Sequence, residues 1–199
     1  MRTVSAMDRL KTNLVPGQTY RRADLLSLSA SVDRSLAKLV AQGHLKKLSG
    51  GLYLAPKTTA FGDALPDEQA LLKSFLNDDH FVVYSPNQFN ALELGTTQLY
   101  NQRVVFNRKR VGEFNLGGRK YTFHRWREAP KQLTQEFLVV LLLNSLSNLA
   151  EDREQVVTRL SEKLSSFNQR KLKFAATHYG TLSTQKRLGE MLQASSHDG

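Results

Sequence analysis

The chain of 199 residues carries 28 Lys and Arg against 18 Asp and Glu, a formal charge of +10, and no cysteine. Its length allows one large domain or two small ones to bury a core unaided, and two are expected. The lack of cysteine excludes a disulfide framework, a thiol nucleophile and a thiolate metal site, while the most apolar run, Phe137 to Leu143, is too short to cross a bilayer.

In chain order, Val4, Met7, Leu10 and Leu14 share one face, which predicts a first helix from about Val4 to Leu14, ended by Pro16 and Gly17. Arg22 to Leu26 reads as a short second helix with Ala23, Leu25 and Leu26 on one side. The small polar residues Ser27 to Ser31 form a turn. Val32, Leu36, Leu39 and Val40 then recur at i, i+4, i+7 and i+8, the spacing of an amphipathic helix, which Gly43 stops. His44 to Leu48 and Leu52 to Leu54 flank Ser49, Gly50 and Gly51, and glycine's access to positive φ suits a tight hairpin turn there. Two short helices followed by a basic hairpin is the order of a winged helix-turn-helix, with the hairpin as its wing.

A recognition helix presents one face to its own core and the other to a DNA major groove. With the apolar stripe centred near Val32, Leu36 and Leu39, the far side holds Ala30, Arg34, Ala37, Lys38 and Ala41, with Ser31, Ser35 and Gln42 at its edge. Small residues allow close approach, Arg can grip guanine in bidentate fashion and Lys can meet a phosphate. Arg34 and Lys38 alone fit an ordinary solvated face equally well. Arg21 and Arg22 before the short helix, and Lys46 and Lys47 in the hairpin, complete a candidate DNA-binding set of Arg21, Arg22, Ser31, Arg34, Ser35, Lys38, Lys46 and Lys47. Charge supports the set: residues 1–57 carry +7, residues 58–130 carry +1 and residues 131–199 carry +2. A basic patch that coincides with a DNA-binding pattern is the footprint of a nucleic-acid binder. A membrane surface is the competing partner, and a helix pair with a hairpin fits it less well than one long amphipathic helix would.

Ala55 to Asp63 reads as a polar connection. The expected organisation is therefore α+β: an N-terminal winged helix-turn-helix over 1–57, then a mixed α/β domain over 58–199 with a helical C-terminal region at about 133–194. Within it, Asp67 to Phe75 is a helix, Phe81 to Tyr84 a strand ended by Ser85 and Pro86, Asn87 to Leu94 a short helix capped by Gly95, and Val104 to Phe106 a strand. Val111 to Leu116 and Lys120 to Trp126 alternate around Gly117 and Gly118, a second hairpin. Leu133 to Leu149, Glu151 to Phe167, Gln169 to His178 and Thr184 to Leu192 are helical, and Ala194 to Gly199 should fray.

No catalytic or metal constellation stands out. His44, His80, His124, His178 and His197 have no ligand spacing, and Asp78 and Asp79 sit where turns ordinarily form. No glycine-rich phosphate cradle and no GxSxG elbow is present. Arg108-Lys109-Arg110 is a solvated turn or a contact with nucleic acid or an acidic partner, and Trp126 reads as core. The expectation is a protein that is not an enzyme, with no catalytic residues, metal or cofactor. The first residues lack a signal peptide's apolar core, so it is expected to be soluble, cytoplasmic and without a membrane partner.

The run Gly51-Leu52-Tyr53-Leu54-Ala55-Pro56-Lys57, then Ser85-Pro86-Asn87, then Ala91-Leu92-Glu93-Leu94-Gly95-Thr96-Thr97-Gln98, resembles the abortive-infection antitoxins called AbiEi, over roughly residues 1–130. The resemblance implies a winged-helix antitoxin of a type IV toxin-antitoxin system. Such a protein represses its own operon by binding promoter repeats in double-stranded DNA and counters a nucleotidyltransferase-type toxin, without needing a stable complex with it. It gives Arg34, Lys38, Lys46 and Lys47 the DNA-contact role. A regulator with no antitoxin role, and an antitoxin acting by direct toxin contact, remain as alternatives. The Leu94 to Gln98 piece also has a purely structural reading, as a helix end and the start of the next extended segment.

Overall fold

In the computed structural model residues 5–29, 31–126, 128, 130 and 132–195 are described; Val4, Ala30, His197 and the tail after Ser195 lie outside them. The elements are mixed α and β. Helix α1 spans Ala6–Thr12, strand β1 Thr19–Arg21, a 3₁₀ helix Arg22–Leu28, and α2 Val32–Ala41. Strands β2 (Lys46–Ser49), β3 (Leu52–Leu54), β4 (Thr58–Thr59) and β5 (Gly62–Asp63) precede α3 (Glu68–Leu76). Strand β6 (Phe81–Tyr84), a 3₁₀ helix (Pro86–Leu92), β7 (Arg103–Asn107), β8 (Gly112–Leu116) and β9 (Arg119–Arg125) follow. The chain ends in α4 (Gln135–Ser145), α5 (Arg153–Glu162), α6 (Gln169–Tyr179) and α7 (Leu182–Ala194).

Packing divides the chain into two units, Met1–His80 with Lys109–Tyr121, and Phe81–Arg108 with Thr122–Gly199. Residues 1–57 fall inside the first.

In the first unit, Ser5 opens α1 by accepting the Asp8 N–H at 3.1 Å. The helix lays Leu10 against Leu25, Val32, Leu36, Leu39, Leu45 and Ala55. Each of these Leu and Val side chains contributes roughly 1.5–3 kcal/mol on burial, the main support of so small a cluster. Gly43, at φ +75°, turns the chain out of α2 as the sequence predicts. Strands β2 and β3 form the expected hairpin, with an irregularity between Lys47 and Ser49, and Gly51 adopts φ +70° in the turn. Strand β1, which the pattern does not reveal, pairs with β3 from Thr19 opposite Leu54 to Arg21 opposite Leu52, giving the order β1-β3-β2. The connection read as merely polar contains the small β4-β5 hairpin.

Asp67 caps α3 by accepting the Ala70 N–H at 2.8 Å, and Asn77 ends it in the left-handed region at φ +48°. Lys109 then places its ammonium on the carbonyls of Leu76 and Asn77, where a cation meets the negative end of the helix. The turn after β8 brings Gly117 beside Leu48 and Pro66, Phe114 lies edge-on to Phe75 at 5.1 Å, and the buried Tyr121 donates to Glu68 at 3.0 Å. Glu68 and its neighbours thus anchor a segment distant in sequence.

In the second unit, β6 runs antiparallel to β7, from Phe81 opposite Asn107 to Tyr84 opposite Val104, and β7 neighbours β9. Helix α4 is buried from Glu136 through Leu142, apolar on nearly all sides, so it forms the centre of the core rather than one wall of it. Strand residues Val82, Tyr84 and Val104 and helix residues Val156, Leu160, Leu172, Leu188 and Leu192 close around it. Helices α5, α6 and α7 are capped by Asp152, Asn168 and Thr181. Trp126 is core-facing, edge-on to Phe106 at 4.6 Å and to Tyr179 at 4.9 Å. Where Gly95 was expected to cap a helix, the segment is 3₁₀ and the cap is Glu93, at φ +55°. Ser85 and Gln88 form a reciprocal capping box around Pro86, which sets the short helix early.

Candidate nucleic-acid interface

Helix α2 divides its side chains sharply. Val32, Leu36 and Leu39 are buried, whereas Ser31, Asp33, Arg34, Ala37, Lys38 and Ala41 are exposed. Arg34 and Lys38, four residues apart, lie on one face. Ser35 does not share it. The residue is buried, its hydroxyl 3.2 Å from that of Ser29. At 100° per residue Ser35 falls within ~70° of the stripe's centre, so a hydroxyl partner inside the fold is enough to hold it there.

Lys46 and Lys47 are exposed on β2, opposite Leu54 and Tyr53 respectively. Adjacent strand residues point to opposite faces, so the two ammonium groups leave the sheet on different sides. Among the described residues, none of Arg34, Lys38, Lys46 and Lys47 forms an ion pair. These four cations are exposed, and no carboxylate among the described residues pairs with them.

Arg21 and Arg22 differ. Arg21 Nη2 meets Asp24 Oδ1 at 2.5 Å, with Nε at 3.1 Å from Oδ2. Arg22 grips Asp33 with Nε to Oδ1 at 2.6 Å and Nη2 to Oδ2 at 2.7 Å. The hydrogen bonds from Arg21 hold the Asp24 carboxyl below the usual carboxylate range, and those from Arg22 do the same for Asp33. In each pair Nε and Nη2 are spent on the carboxylate, leaving Nη1 for another acceptor. Asp24, three residues after Arg21, is legible in the sequence; Asp33, eleven after Arg22, is not.

The segment that carries the family resemblance in the second unit is held by its own fold. Asn87 donates to the Tyr100 carbonyl at 3.0 Å and accepts the Tyr100 N–H at 2.6 Å, closing the intervening loop. The Glu151 carboxylate accepts the N–H groups of Thr97 and Gln98, both at 3.2 Å, and the Tyr100 hydroxyl at 3.3 Å. Gly95, at φ +88°, leaves room for Gln155 and Arg159. Thr97 and Gln98 therefore have a structural role sufficient to explain their presence.

Of the remaining candidates, Asp78 accepts the His80 N–H at 3.0 Å, a turn contact. Among the described residues no three His, Asp or Glu side chains assemble as a metal-holding group, and no helix is long and apolar enough to cross a membrane.

No family model and no characterised protein matches the chain. Among solved structures it is similar to the crystal structure of RV2827C protein from Mycobacterium tuberculosis, at a TM-score of 0.59 and 14% identity, covering 97% of this chain and 78% of that one. At that identity the likeness is one of fold alone.

Proposed function

We propose that this chain is a DNA-binding transcriptional autorepressor built on an N-terminal winged helix-turn-helix, and the antitoxin of a type IV toxin-antitoxin system. One observation carries the DNA half. Helix α2 buries Val32, Leu36 and Leu39 while Arg34 and Lys38 stand exposed on its outer face without an ion pair among the described residues. The β2-β3 hairpin, in the role of wing, adds Lys46 or Lys47. Arg34 reads base edges in the major groove, and the lysines meet phosphates. The antitoxin half rests on the resemblance of Gly51 to Lys57 and Ala91 to Gln98 to the AbiEi family. Its partner is a toxin of the nucleotidyltransferase type.

Titration of the full chain with a duplex from its own upstream region tests the DNA half. Salt-sensitive binding is expected, with sequence preference relaxed in Arg34→Ala and the salt slope lowered by about one in Lys38→Ala. Because Lys46 and Lys47 leave on opposite faces, only one of Lys46→Ala and Lys47→Ala should lower the slope. Binding unaffected by changes at Arg34 and Lys38 would rule out α2 as the reading element. Rescue of cells expressing the neighbouring toxin gene tests the antitoxin half, and its absence would leave a regulator alone.

A further inference from the structure

The Arg108-Lys109-Arg110 cluster, distant in sequence from the basic N-terminal region, is divided by the fold, and Arg110 joins the first unit. There it lines a cavity of about 310 Å³ together with Arg21, Arg22, Gly50, Gly51 and Phe75, and no carboxylate residue contributes to the wall. The Arg110 guanidinium carbon lies 4.3 Å from the centre of the Phe75 ring, a cation-π contact that orients the plane of the group. Arg22 donates its backbone N–H to the Gly51 carbonyl at 2.8 Å, which fixes the hairpin turn beside the arginines. Gly50 has open space where a Cβ would stand, so the turn presents bare backbone.

Arg21, Arg22 and Arg110 all contribute to the wall of this one space, a set of side chains suited to a phosphate. Arginine's planar fork suits phosphate oxygens, and Arg21 and Arg22 each keep Nη1 unspent. The volume stands at the low end of ligand pockets, too small for an extended cofactor. Its position favours a nucleic-acid backbone over a free metabolite, because Arg22 is bound to Asp33 in the first turn of α2 and the glycines belong to the β2-β3 turn. Both are elements of the proposed DNA face, and phosphate contacts ordinarily flank the groups that read bases.

We propose that the cavity of Arg21, Arg22 and Arg110 seats a backbone phosphate of bound DNA, so that the nucleic-acid interface extends beyond residues 1–57 to Arg110. This rests on the DNA-binding reading of α2.

The test is anisotropy titration of the full chain, wild type, Arg110→Gln and Arg110→Lys, against the upstream duplex and a scrambled duplex from ~50 to ~200 mM salt. Gln removes the charge and keeps much of the stem over Phe75, and Lys keeps the charge. Arg110→Gln should weaken both duplexes alike and lower the salt slope by about one, so that it loses about threefold less affinity across that range than wild type. Arg110→Lys should keep the wild-type slope. An unchanged slope in Arg110→Gln, while wild type binds and Arg34→Ala loses preference, overturns the cavity and spares the DNA reading. No salt-sensitive binding by wild type overturns the DNA reading itself. Equal slope losses in both Arg110 variants, with lowered melting temperatures, assign Arg110 a packing role and overturn the proposal. Protection against melting by inorganic phosphate that depends on Arg110, with no change in DNA slope, assigns the cavity to free phosphate and overturns it also.

Discussion

Arg22 and Asp33 meet in a two-point pair, 2.6 Å and 2.7 Å, that ties the start of a 3₁₀ segment to the first turn of α2. Both side chains remain largely in water, where screening keeps such a pair's share of stability small. Its consequence is orientation and charge. Asp33→Asn removes a negative charge from α2 and releases Arg22, so affinity for any duplex should rise and the salt slope steepen by about one, with little change in melting temperature. A slope equal to wild type in a salt titration would place Asp33 outside the interface.

The same pair marks where sequence reading stops. Helix α2 and the hairpins around Gly51 and Gly117 are visible because periodicity and glycine act locally. Strand β1 is not, since three residues show no period and their partners lie more than thirty positions on. Arg34 and Lys38 were identifiable as outward-facing from the wheel alone. The compensation of Arg22 by Asp33, the burial of Ser35 by Ser29 and the arrival of Arg110 beside Phe75 are tertiary events that charge counting cannot register.

Glu151 holds the Thr97 and Gln98 backbone N–H groups and the Tyr100 hydroxyl at once. Glu151→Ala should speed amide exchange at Thr97 and Gln98 and cost ~1 kcal/mol, while leaving DNA affinity as it was. Exchange at these two amides as slow as in wild type would show that the clamp is not what orders the segment.

Two glycines in the second unit should respond oppositely to alanine. At Gly180 a Cβ would stand 2.5 Å from the Ala176 carbonyl oxygen, a backbone atom that cannot swing aside. Gly180→Ala should destabilise by ~1–3 kcal/mol. Gly189 lies inside α7 with open space around it, so Gly189→Ala should stabilise by ~0.5–1 kcal/mol through the unfolded chain. Thermal melts of the two variants decide both, and a destabilised Gly189→Ala would contradict the second.

Burial pushes the Tyr84 hydroxyl up to about 12, and burial together with the nearby Glu68 does the same for Tyr121. An unfolded tyrosine titrates near ~10. Since the folded groups hold their protons longer, their contribution is complete below ~10 and is lost as pH rises towards about 12. For Tyr84 the loss is roughly 2–3 kcal/mol. Denaturant melts across that range should show falling stability, flattened in Tyr84→Phe; a slope identical in the variant would remove Tyr84 as its source.

The first unit borrows Lys109–Tyr121 from beyond a stretch that belongs to the second. During synthesis, therefore, a ribosome that has made His80 has not yet supplied Phe114, Tyr121 or Arg110. About 40 more residues must follow, roughly 2–8 s at ~5–20 residues per second. Through that interval the nascent chain carries α2 and its cations without the aromatic and tyrosine anchors of the finished unit. A premature stop between the two segments yields a product with α2 but without those anchors, a natural candidate for rapid clearance by cellular quality control.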